Sequence, residues 1–166
     1  MGFDTQLFLL LNSIVGMSPF LDSSIMFFAS YLAYVLVAVF LALVLFSQYS
    51  KREKWEWLIV AGISSLIARF GITELIRFFY HRPRPFVALP DAHWLFTNGE
   101  WSFPSGHAAF FFALSTAVYL YNKKWGVGFF SVTVLMTVGR VVAGVHYPSD
   151  IIAGAVIGVI VAYTSL

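Results

Sequence analysis

Two histidines, His107 and His146, and one carboxylate, Asp150, stand in this chain with three arginines, Arg77, Arg84 and Arg140. Guanidinium forks bind the oxygens of a phosphate. Two imidazoles provide a nucleophile and a general acid. His146 and Asp150 are four residues apart. On a helix they share a face, and the carboxylate can orient the imidazole and stabilise its charged form. Ser105 and Gly106 stand just before His107, at the start of an apolar run. A helix that begins there offers free backbone N–H groups and a positive dipole end to an anion. The reaction implied is phosphoryl transfer to histidine, followed by attack of water. Fixed positive charge would supply the largest part of the rate.

These residues must be brought together by elements that the sequence marks clearly. A helix that crosses a bilayer needs about 20 apolar residues. Five segments meet or approach that length: Ile25 to Ser47, Trp57 to Phe79, Ser105 to Tyr121, Val127 to Val145, and Pro148 to the C-terminus. Ionisable groups inside a membrane are costly and mark function. Following the spans up and down puts Arg77, Arg84, Ser105, Gly106, His107, Arg140, His146 and Asp150 at one membrane face. The two prolines of His81-Arg82-Pro83-Arg84-Pro85 stop the second helix there. Lys51, Arg52, Lys54, Lys123 and Lys124 gather at the other face, which the positive-inside rule assigns to the cytoplasm. The loop from Tyr80 to Phe103 and the site then face the periplasm or its equivalent.

Composition agrees. Charged residues make up 11% of the 166 and apolar residues 60%, against about 25% charge in soluble domains. So few charges cannot cover a soluble fold, and the expected class is an all-α polytopic membrane bundle of about five spans. A single domain is expected. An amphipathic stretch over about residues 3 to 16 reads as a helix on the membrane surface. The N-terminus has no basic n-region, so no cleavable signal peptide is expected. A net charge of +2 with no basic run argues against a nucleic-acid partner. There is no cysteine and no obvious metal cluster, so no metal or other cofactor is expected. Trp55, Trp57 and Trp125 beside the basic turns, and Trp94 and Trp101 in the long loop, fit headgroup belts.

Arg77-x6-Arg84-Pro85, Pro104-Ser105-Gly106-His107 and Gly139-Arg140-x5-His146-x3-Asp150 closely resemble the three-part signature of the type 2 phosphatidic acid phosphatase superfamily, K-x6-RP, PSGH and SR-x5-H-x3-D. The stretch LDSSIMFFASY before a long span also looks like bacterial undecaprenyl diphosphate phosphatases of that superfamily. The resemblance implies a bacterial plasma-membrane lipid phosphatase that uses no metal. His146 matches the nucleophile, Asp150 the group that orients it, and His107 the acid that protonates the leaving oxygen. Arg84, Arg140, Ser105 and Gly106 match phosphate binders. Arg77 stands where the family has lysine, which keeps the charge and changes its geometry, so Arg84 ranks above it. Gly139 replaces a serine and leaves only a backbone contribution.

Undecaprenyl diphosphate is the first-choice substrate, because a loop of about 24 residues leaves little protein to enclose a large headgroup. Phosphatidylglycerophosphate, phosphatidic acid and the 1-phosphate of lipid A are the alternatives. A non-catalytic lipid-binding or transport protein is the reading of another class, but it does not need His107, His146 and Asp150 together. Soluble acid phosphatases and vanadium haloperoxidases, which use a similar site, are excluded by the apolar spans. Elsewhere, Glu74 is expected to pair with Arg77 three residues on, and Arg69 to face the bundle with an unidentified partner. His81, His93, Asp91 and Glu100 read as loop residues. Phe110, Phe111 and Phe112 read as core or lipid contact. Gly154 and Gly158 read as a close helix contact inside the bundle.

Overall fold

Helix ends fall where local chemistry puts them. The computed structural model describes residues 2–97, 99 and 101–165, so the expectation for Glu100 lies outside the described residues. Helix α1, Phe3–Asn12, is followed by the long α2, Pro19–Phe46. Ser18 caps α2, its Oγ accepting from Leu21 N at 3.4 Å, and Pro19 takes the first position, where its missing N–H costs nothing. Helix α3, Lys51–Phe79, opens on a capping box. Ser50 Oγ accepts from Glu53 N at 3.3 Å, and Ser50 N donates to the Glu53 carboxylate at 2.8 Å. The helix therefore starts before Trp57, where the apolar pattern begins. A short α4, Pro85–Ala88, lies in the connecting loop. Three helices complete the bundle: α5, Gly106–Tyr121; α6, Lys123–Val142; and α7, Pro148–Thr164. Among the described residues there is no strand.

Helices α2, α3 and α6 are long and apolar enough to cross a membrane, while α5 and α7 are apolar but shorter. With 16 residues, α5 is roughly 24 Å long at 1.5 Å per residue, less than the bilayer's ~30 Å hydrocarbon core. It lies innermost and packs on α3, α6 and α7. Leu36 and Phe40 of α2, Trp57 of α3, Phe111, Leu114 and Val118 of α5, and Phe129 and Met136 of α6 form the main core. Ser115 and Thr133 share a buried 2.9 Å hydrogen bond between α5 and α6. Large apolar side chains such as Leu41, Ile59, Leu75, Val134 and Ile152 point outward, as a lipid-facing surface requires. Trp55, Trp94, Trp101 and Trp125 are exposed, as expected for headgroup belts. Trp57 differs. It is buried and stacks on Tyr121 at 5.3 Å, with Phe40 and Tyr49 against its edges.

Two π turns interrupt the long helices, Phe27–Tyr31 in α2 and Ile67–Ile72 in α3. Such bulges shift the carbonyl ladder and gather at functional sites. Thr73 Oγ1 fills one gap by donating to Ala68 O at 2.8 Å.

Gly154 and Gly158 of α7 face α5 with no room to spare. A Cβ at Gly154 would stand 2.5 Å from Ser105 O and 2.8 Å from Ala108 Cβ; one at Gly158 would stand 2.7 Å from Ala113 N and closer still to Ala109 O. The contact is within the bundle, as the spacing implied. Gly158→Val should force α5 and α7 apart and cost about 1–3 kcal/mol. Thermal unfolding in detergent checks this. Gly128→Val, at a position with open space around its Cα, should leave the midpoint unchanged. Equal midpoints for both variants would mean that the helix pair has slack.

Candidate active site

The residues expected to bind phosphate come from three helix ends and the loops beside them. Helix α3 contributes Arg77 in its last turn, the loop after it Arg84, α5 its first residues Gly106 and His107, and α6 Arg140 in its last turn. Helix α6 then stops at a turn that only glycine fills well. Gly144 has φ +87, and a Cβ there would strike the carbonyl of His93. The chain reverses, placing His146 against the site before Pro148 opens α7.

Arg69, Arg77, Arg84, Gly99, Gly106, His107, Arg140 and His146 line one cavity of about 170 Å³. Each motif arginine is aimed by a backbone carbonyl. Arg77 Nη2 donates to Pro104 O at 3.0 Å, Arg84 Nη1 to Val145 O at 2.7 Å, and Arg140 Nη1 to Ala29 O at 2.9 Å. Ala29 belongs to the π turn of α2. Ser105 caps α5, its Oγ accepting from Ala108 N at 3.4 Å, so the helix start points into the cavity. Gly139 lies where α6 meets that π turn; a Cβ there would be 3.2 Å from Ala29 N and 3.4 Å from Phe28 Cβ. A side chain at this position, such as the serine of the family pattern, would require α2 to give by a few tenths of an ångström.

His146 is fully enclosed. Its Nε2 lies 3.3 Å from Arg84 Nη1, and its Nδ1 faces Asp150 Oδ2 at 3.4 Å, longer than an ordinary hydrogen bond. A carboxylate beside Nδ1 favours the proton there and leaves the Nε2 lone pair toward the cavity. Burial is the largest influence on the ring. Asp150 opposes it, Arg140 and Arg84 reinforce it, and the imidazole is pushed down to about 3. The imidazole is therefore neutral at physiological pH, the form that the expected nucleophilic role requires.

Asp150 is held by a network that sequence reasoning missed. Arg82 Nη1 donates to Asp150 Oδ1 at 2.7 Å, Tyr147 N to Oδ2 at 2.8 Å, and Ser102 Oγ bonds the same oxygen. Arg82 Nη2 continues to Asp4 of α1 at 2.7 Å, and Asp4 also accepts from Ser149 N at 2.9 Å and Ser149 Oγ at 2.6 Å. The Arg82 guanidinium lies 3.9 Å over the Tyr147 ring. The one available signal was Arg82 itself, a second arginine inside the proline-bounded segment. Asn12 fixes α1 in the same region, its amide donating to His93 O and Val142 O, both at 2.8 Å.

Other expectations meet the structure at specific atoms. Glu74 pairs with Arg77 at 3.2 Å and also with Arg69, which identifies the missing partner. His81 lies outside the cavity, its ring 4.6 Å from that of Trp101. The His93 side chain and Asp91 are exposed. Phe111 is core, yet it and Phe110 also wall an apolar groove of about 270 Å³ with Ala33, Tyr34, Val37 and Phe70. That groove shares Arg69, Gly106 and His107 with the polar cavity. Among the described residues, no group of three or more His, Cys, Asp or Glu side chains is placed to hold a metal ion.

Known proteins resemble this chain along nearly its whole length. The chain is 28% identical over 159 residues to the undecaprenyl-diphosphatase BcrC of Bacillus subtilis, covering 95% of this chain and 80% of the relative. It is 28% identical over 169 residues to the lipid A 4'-phosphatase of Porphyromonas gingivalis, covering 96% and 70%. The fold matches the crystal structure of Aquifex aeolicus LpxE with a TM-score of 0.78 and 32% identity, over 99% of this chain and 95% of that one. The family model described as PAP2 superfamily matches residues 57–166, which hold all three motifs, and with more than half of its length matched the chain belongs to the PAP2 superfamily.

Proposed function

We propose that this protein is a membrane lipid phosphatase that hydrolyses a lipid diphosphate, with undecaprenyl diphosphate as its first substrate, through a phosphohistidine at His146. The observation that carries the reading is the junction of the arginine-lined cavity with the apolar groove at Arg69, Gly106 and His107. A phosphate fits the first and a lipid chain the second. The likeness to an undecaprenyl-diphosphatase supports the choice of lipid.

In this mechanism Arg77, Arg84, Arg140 and the start of α5 bind the terminal phosphate and stabilise the charge on its equatorial oxygens. His146 Nε2 attacks phosphorus while the bond to the bridging oxygen breaks. His107 gives that oxygen its proton, and the lipid monophosphate departs. His107 then takes a proton from water as the water attacks the phosphohistidine, releasing inorganic phosphate and restoring both rings. Asp150 holds His146 and balances its charge in the intermediate. Positive side chains and a helix dipole do the work here without a metal ion.

Purified protein in detergent, tested for phosphate release from undecaprenyl diphosphate, phosphatidylglycerophosphate, phosphatidic acid and lipid A, should favour the diphosphate by kcat/KM. Activity should survive EDTA; complete loss restored by magnesium would sink the metal-free mechanism.

The two histidines should separate by leaving group. His146→Ala should abolish turnover of every substrate. His107→Ala should cost about 100- to 10,000-fold on a lipid monoester, clearly less on p-nitrophenyl phosphate, and an intermediate factor on a diphosphate. A trapped phosphohistidine at position 107 would reverse the roles.

Arg82→Ala removes the guanidinium that joins Asp150 to Asp4. A loss on the order of 3 kcal/mol in stability and a lower kcat at nearly constant KM are expected, from thermal melts and steady-state rates. An unchanged kcat would mean that Asp150 holds His146 without Arg82.

The site is proposed to face the outer side of a bacterial plasma membrane. In a chain without native cysteine, Thr97→Cys should react with a membrane-impermeant thiol reagent in spheroplasts, and Lys124→Cys should not. The opposite pattern would turn the site toward the cytoplasm.

A further inference from the structure

Arg69 belongs to none of the three motifs, yet it lines both the polar cavity and the apolar groove. We propose that Arg69 binds the second, lipid-linked phosphate of a diphosphate substrate and so selects diphosphates over monophosphates. The proposal rests on the lipid diphosphate reading above.

Position is the first argument. His146 attacks the terminal phosphorus from inside the cavity, and His107 protonates the oxygen that leaves. His107 also walls the groove, so the leaving group extends from the cavity toward it. Arg69 stands on both sides of that boundary. In a monoester the group just beyond the leaving oxygen is an apolar carbon. In a diphosphate it is a phosphate with two further oxygens, which a guanidinium can grip as a fork.

The way Arg69 is held is the second argument. The three motif arginines each donate to a backbone carbonyl, and Arg77 also reaches Glu74, whereas Arg69 is held by the Glu74 carboxylate. The side chains of Arg69 and Glu74 are 26% and 38% exposed, against 6% for Arg77. The pair sits at the rim, where an arriving phosphate can take over from the carboxylate. Glu74 meanwhile compensates a cation that would otherwise be costly beside Arg77 at membrane depth.

The third argument is the room made for it. A Cβ at Gly106 would stand 2.8 Å from Arg69 Cζ and nearer to the side-chain atoms before it. The guanidinium therefore rests against the start of α5, in reach of an anion bound there. The π turn Ile67–Ile72, which carries Arg69, changes the helical register at this height.

The test compares farnesyl diphosphate with farnesyl monophosphate, which share one chain. Arg69→Gln should lower kcat/KM for the diphosphate about 10- to 100-fold, the loss expected for a charge-assisted contact, and for the monophosphate much less. Arg69→Lys, which keeps the charge and loses the fork, should fall between parent and Arg69→Gln on the diphosphate. It also covers the case in which Arg69→Gln does not fold. Glu74→Gln should preserve the parent's preference for the diphosphate. Equal losses on both substrates, or no loss with either Arg69 variant, would overturn the assignment and leave the lipid diphosphate reading standing. A parent enzyme that cleaves only the monophosphate would overturn both.

Discussion

Cations at membrane depth repel one another and resist leaving water, and everything near the site answers to that constraint. Arg69, Arg77, Arg84 and Arg140 share one cavity. Guanidinium groups brought together in a low dielectric are tolerated only if each is hydrogen-bonded and aimed. The fold meets this with carbonyls freed at irregular points: Ala29 in a π turn, Pro104 before a helix start and Val145 in a tight reversal. Each exception to regular helix geometry near the site therefore has an arginine attached to it. A bound phosphate is a further favourable partner for this charge, so the same arrangement favours an anionic substrate.

The central helices follow from the same need. The start of α5 must lie beside Asp150 and its neighbours, so α5 and α7 must approach closely at that end. Ser105 N donates to Asp150 O at 3.0 Å, which joins the two helix starts directly. Gly154 and Gly158 permit it.

Much of this was legible in the sequence, for reasons that differ by residue. Spans were readable because lipid requires long apolar runs, and the convergence of Arg77, Arg84, His107, Arg140 and His146 followed from counting crossings. Glu74 could be paired with Arg77 because both lie on one helix at short range. The Arg82–Asp4–Ser149 network was not legible, since it joins residues far apart in the chain through loop geometry that no periodicity encodes. The burial of Trp57 was missed because a tryptophan near basic residues looks the same whether its ring turns outward or inward. The groove beside Phe110 and Phe111 was also hidden. Apolar walls read alike from sequence whether or not a space lies between them.

The contact between Asp4 and Ser149 closes a loop across 145 residues, and this has a consequence for biogenesis. While the chain is being made, Arg82 emerges and can meet Asp4, but Asp150 and Ser149 leave the ribosome only after four hydrophobic segments have begun to insert. Until α7 docks, His146 has no carboxylate behind it, and the start of α5 lacks its neighbour. A truncated chain, or one whose last helix fails to insert, therefore leaves Arg82 without Asp150 and His146 without the carboxylate beside its ring. The network of Asp4, Arg82, Ser149 and Asp150 is therefore completed last, when the first and last helices meet.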